Sequence, residues 1–90
     1  MSEDYLTVPP HSGQDGRPLY RIGALAEMAG VSRQVVSTYC MYGLVQEAAR
    51  TPGGHRLFDA STARRIQLIQ ELKQRYTLGE IREIFIRDRF

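Results

Sequence analysis

The sequence predicts a mainly α domain of about four short helices with a small β-hairpin, preceded by a flexible arm. Three observations predict it. Apolar residues recur at helical spacing in four separate stretches after Leu19. Glycines and hydroxyl-bearing residues stand where those stretches stop and start. The one long break in the pattern, between Val45 and Leu57, holds turn chemistry instead.

With 90 residues the chain has room for one hydrophobic core and no more. Charged residues make up 24% and hydrophobic ones 42%, the balance of a globular domain rather than a disordered chain. No apolar run approaches the ~18 residues a membrane helix needs. The opening MSEDYLTVPP is acidic and has no apolar segment of a secretory signal. Cys40 is the single cysteine, so neither an internal disulfide nor a cysteine zinc site can form. The expected compartment is the cytoplasm, and no membrane partner is expected.

Residues 1–18 are rich in proline and glycine and lack sustained periodicity, so they read as the flexible arm; residues 19–90 read as the folded domain. Ile22, Leu25, Ala26 and Ala29 line one face of a first helix, which stops at Gly30. Ser32 stands where an N-cap belongs. A second helix is expected from Arg33 to about Tyr42, with Val35, Val36, Tyr39 and Tyr42 as its inner stripe and Gly43 at its end. Two short helices across a Gly-Val-Ser turn form a helix-turn-helix signal. Pro52-Gly53-Gly54 then makes the tip of a hairpin, flanked by Arg50, His55 and Arg56. A hairpin directly after a helix-turn-helix is a wing, so the fold class is a winged helix-turn-helix. A third helix begins after a cap at Asp59, with Ala63, Ile66, Ile69, Leu72 and Tyr76 facing the core. Thr77-Leu78-Gly79-Glu80 fits a capping box, and Leu78, Ile81, Ile84 and Phe85 form the inner face of a fourth helix.

The tight turn leaves one face of the second helix free for a groove. Arg33, Gln34, Ser37 and Thr38 lie on or near that face, and each can meet base edges or phosphates. Any surface helix also turns polar residues outward. Basic groups on the wing can reach a phosphate flank beside the groove. Net charge is +2 overall; the acidic arm carries −2, so the rest of the chain carries +4. Eleven of the twelve basic residues are arginine, whose planar fork suits phosphate and guanine. Arg64 and Arg65 open the third helix on its exposed side, and Arg65 reads as part of a solvated helix face. His55 has no histidine partner except His11 in the arm, so no metal site is expected.

YRIGALAEMAGVS resembles the opening of the MerR-type DNA-binding domain. The likeness continues through Tyr39, Gly43-Leu44-Val45, the run Arg50-Thr51-Pro52-Gly53-Gly54-His55-Arg56-Leu57-Phe58, and Tyr76-Thr77-Leu78-Gly79-Glu80-Ile81. The resemblance covers about residues 20–86. It implies sequence-specific binding to double-stranded promoter DNA by a bacterial-type transcription regulator. The DNA-contacting set it implies, together with the outward residues, is Ser32, Arg33, Gln34, Ser37, Thr38, Tyr39, Arg50, Thr51, His55 and Arg56. The Tyr39 hydroxyl either meets a phosphate or sits in the core. Ser37 stands where the family often has an arginine, and Cys40 where it has an acidic residue, so base preference should differ from better-known members. Sensors of this family continue into a long dimerisation helix and an effector-binding segment. The sequence given ends at Phe90, so it reads as a short member or a piece of a longer one, with no cofactor, and as a monomer or weak, DNA-assisted homodimer.

Two other functions compete. An excisionase-like architectural protein would use the same fold to bend DNA. A protein-interaction module, such as a chaperone modulator, would show an exposed apolar patch on the second helix instead of arginines around it. Enzyme activity is not expected: no paired catalytic carboxylates, no nucleophile–base pair and no phosphate loop are present.

Overall fold

In the computed structural model, residues 16–89 are described; most of the arm, with His11, lies outside them. The chain runs β1 (Leu19–Arg21), α1 (Ile22–Ala29), α2 (Arg33–Met41), β2 (Ala49–Arg50), β3 (Arg56–Asp59), α3 (Ser61–Leu72) and α4 (Leu78–Asp88). The expected four helices and hairpin are present, so the fold is mainly α with a wing. One strand has no counterpart in the sequence reading. β1 pairs antiparallel with β3, so the hairpin becomes a three-stranded sheet of order β1-β3-β2.

Local chemistry sets the helix-turn-helix. Gly30 closes α1 in the left-handed region, with φ 76°. A side chain there would meet a steric penalty that glycine avoids. Val31 N–H donates to the Ala26 carbonyl at 3.0 Å and completes the exit. Two residues after Gly30, the Ser32 hydroxyl accepts from Val35 N–H at 3.2 Å and caps α2. α2 ends one residue earlier than expected, with Tyr42 as its C-cap. Tyr42 is therefore 45% exposed and not part of the inner stripe. Tyr76 likewise lies beyond the end of α3 and is 40% exposed. In both cases the apolar rhythm continues past the point where the backbone leaves the helix.

Asp59 is not the N-cap of α3: it closes β3, and Ala60 takes the cap position without a side-chain capping bond. Asp59 still reaches the first turn from one residue further back. Its Oδ1 accepts from the Ser61 N–H at 3.0 Å. The capping box of α4 is complete: Thr77 Oγ1 accepts from Glu80 N–H at 3.1 Å, and Glu80 Oε1 accepts from Thr77 N–H at 2.8 Å. Two orphan amides are thus satisfied reciprocally.

One core holds these elements together. Leu25 of α1, Val36 and Tyr39 of α2, Phe58 of β3, Ile66 and Ile69 of α3, and Ile81 and Phe85 of α4 meet there. Arg65 is not a solvated residue. Its Nε donates to the Leu44 carbonyl at 2.5 Å, and its guanidinium lies 4.3 Å from the centroid of the Phe85 ring. Burial holds its pKa below the usual arginine value. A single side chain of α3 thereby ties the exit of α2 to α4.

Candidate nucleic-acid interface

α2 buries Val36 and Tyr39 and turns its other side outward. Arg33 and Gln34 are exposed, Ser37 and Thr38 half-buried, and Met41 is 80% exposed. At about 100° per residue these five positions fall within roughly 140° of arc, a stripe along one side of the helix. Sequence reasoning missed Met41, because methionine at the end of a helix reads as core. Its exposed thioether is the one large apolar group on the stripe.

Tyr39 takes the core alternative. It is 1% exposed, and its hydroxyl has no hydrogen-bond partner among the described residues. Burial raises its pKa. The hydroxyl is thus sealed from a phosphate, and Tyr39 leaves the set of expected DNA contacts. An unpaired buried hydroxyl costs about 1–3 kcal/mol. Tyr39→Phe should therefore raise stability by about 1 kcal/mol in urea denaturation and leave DNA affinity unchanged. A destabilised variant, or one that loses DNA affinity, would contradict this placement.

The wing is built on a five-residue turn. Thr51 N–H donates to the His55 carbonyl at 2.9 Å, and Gly54 N–H donates to the Thr51 carbonyl at 2.9 Å. Gly54 carries φ 91°, which favours glycine. Thr51 is buried, and its hydroxyl accepts from His55 N–H at 3.0 Å. The same oxygen lies 3.4 Å from His55 Nδ1. Thr51 is thus a brace of the turn rather than an outward donor, which corrects its place among the expected contacts. His55 and Arg50 are exposed, and Arg56 is half-buried.

The wing arginines share a carboxylate that sequence reasoning missed. Glu47 takes the Arg50 guanidinium on both oxygens, with Arg50 Nη2 at 3.2 Å from Oε1, and Arg56 Nε lies 3.5 Å from the same Oε1. The hydrogen bond from Arg50 holds the Glu47 carboxyl below its ordinary pKa. No spacing rule signals this pair, because Glu47 precedes β2 in an irregular segment.

α2 and the wing adjoin. A recess of about 370 Å³ lies between them, lined by Cys40, Met41, Val45, Gln46, Glu47 and Arg56. Burial pushes the Cys40 thiol pKa up, and the Arg56 guanidinium beside it pulls the opposite way. Cys40 is thus a half-buried joint between α2 and β3. The C-terminal end of the α2 stripe, at Met41, consequently borders the wing at Arg56. Among the described residues no cluster of side chains could hold a metal ion, and no helix is long and apolar enough to cross a membrane.

Comparison with known proteins agrees with this layout. Residues 20–87 match the family described as MerR HTH family regulatory protein. The nodulation protein NolA of Bradyrhizobium elkanii is 38% identical over 68 residues, which are 74% of this chain and 31% of NolA. The HTH-type transcriptional regulator ZntR of Escherichia coli is 36% identical over 67 residues, 73% of this chain and 48% of ZntR. The chain therefore spans only 31% and 48% of the lengths of these curated relatives. A transcription regulator from Ralstonia metallidurans, solved in complex with lead(II), superposes with a TM-score of 0.68 at 38% identity, covering 78% of this chain and 56% of that one. With the family match spanning both the helix-turn-helix and the wing, the chain belongs to the MerR HTH family of regulatory proteins.

Proposed function

We propose that the chain binds double-stranded DNA as a sequence-specific transcription regulator, with α2 in the major groove and the wing over the flanking phosphates. One observation carries this reading: the polar stripe of α2 borders a wing that bears two arginines. A reading helix supplies donors and acceptors to base edges, and arginines beside it supply sequence-independent charge. Gln34 is the residue of α2 best suited to a bidentate contact with adenine. Arg50 and Arg56 exchange the Glu47 carboxylate for backbone phosphates on binding. The family is described as regulatory and the relative ZntR is named as a transcriptional regulator, and a regulator's role is binding rather than turnover. Such a protein works beside the bacterial chromosome, in the cytoplasm.

Selection of bound duplexes from a random pool tests the reading. A defined half-site should be enriched, and Gln34→Ala should relax preference at one or two positions by about 1–3 kcal/mol. Recovery of a pool indistinguishable from the input would refute sequence-specific binding.

A further inference from the structure

The first turn of α1 contains a glycine that the backbone does not demand. Gly23 lies in ordinary helical conformation, outside the set of glycines with positive φ. Glycine is among the poorest helix formers, and alanine would serve a helix better. A Cβ at Gly23 would nevertheless meet Arg33 at three atoms: Nη2 at 2.8 Å, Nε at 3.1 Å and Cζ at 3.2 Å. All three belong to one planar guanidinium, so that group lies against the Gly23 backbone. Arg33 is the first residue of α2, and its side chain reaches back onto α1 instead of along the stripe of α2. It forms no ion pair with a carboxylate among the described residues.

In a helix-turn-helix complex the second helix enters the groove while the first crosses the sugar–phosphate backbone. A guanidinium seated on the first helix is therefore on the phosphate side. We infer that Gly23 is a positioning residue that seats the Arg33 guanidinium on the first turn of α1, which dedicates Arg33 to a DNA phosphate and leaves base reading to the rest of α2. This inference rests on the proposed DNA binding. It separates Arg33 from Gln34, two neighbours that sequence reasoning treats alike. Arginine suits the seat because its flat fork stacks on a bare backbone and still presents edge N–H groups outward.

The test is a double-mutant cycle on the full chain, read by affinity for a mixed-sequence duplex across a salt series. Arg33→Ala should weaken binding about five- to tenfold for all sequences alike and reduce the salt slope by about one. Gly23→Ala should leave the melting temperature unchanged or higher and yet weaken binding about two- to fivefold, because the displaced guanidinium must be reordered. In the Arg33→Ala background, Gly23→Ala should cost nothing further. A loss that persists in that background would mean that the new methyl group obstructs DNA directly, and would overturn the seat. So would full affinity in Gly23→Ala. Relaxed preference at one base position in Arg33→Ala would overturn the phosphate assignment. The Arg33 Nε–Hε resonance of the free protein gives a readout without DNA: Gly23→Ala should shift it and speed its exchange with water. An unchanged resonance overturns the seat itself, whereas a shifted resonance in a chain that binds no duplex overturns the DNA reading and the phosphate assignment together.

Discussion

Phe58→Ala should remove about 3–5 kcal/mol of folding stability, the range for truncating a buried phenylalanine. Phe58 is fully buried and pairs across the sheet with Tyr20 of β1. It also sits in the same cluster as Leu25, Tyr39 and Ile66, in a strand that packs against α1 and α3. Small domains carry only about 5 kcal/mol or little more in total. The variant should therefore be largely unfolded at 25 °C, seen as loss of the cooperative urea transition. Phe58→Leu keeps most of the volume and should cost about 1.5 kcal/mol or less. If alanine cost no more than leucine, the ring would not be the hub of this core.

Replacing both Arg50 and Arg56 by alanine should weaken binding to every duplex by about 2–3 kcal/mol at moderate salt, with no change in base preference. The slope of log affinity against log salt should fall by about two, one for each phosphate that is no longer neutralised. Part of the weakening has a second source. The variant leaves the half-buried Glu47 carboxylate without its partners and facing the same phosphates. Adding Glu47→Gln should recover a fraction of the affinity without restoring the slope. Fluorescence anisotropy over a salt series separates the two effects. An unchanged slope in the double variant would remove the wing from the interface.

The punctuation of this fold is legible in the sequence because local chemistry decides it. Gly30, Ser32 and the Thr77–Glu80 box each act within about one helical turn, and Pro52-Gly53-Gly54 folds back on itself. What escapes depends on partners far along the chain or on where a periodic pattern stops. β1 has only three residues and exists because β3, much later in the chain, offers an edge. Arg65 finds its acceptor at Leu44, 21 residues away, so its i, i+3 and i, i+4 neighbours give no hint. Tyr42 and Tyr76 continue an apolar rhythm after the backbone has turned. In the candidate site, the stripe of Arg33, Gln34, Ser37 and Thr38 follows from helical spacing alone. The choice between core and phosphate for Tyr39 requires its burial, and the Glu47 bridge requires side-chain positions across an irregular segment. Gly23 carries no signal in sequence beyond being a poor helix former, and only the position of the Arg33 guanidinium gives it a purpose.

Amide chemical-shift mapping during titration with a duplex bearing the selected half-site tests most directly whether α2 and the wing form one DNA-facing surface. The largest changes should fall at residues 32–38 and 50–56, with a smaller set around Gly23 on α1. The exposed side of α4, around Ile86, should remain unmoved. Changes concentrated on α4 with α2 and the wing silent would contradict the assignment of this surface to DNA.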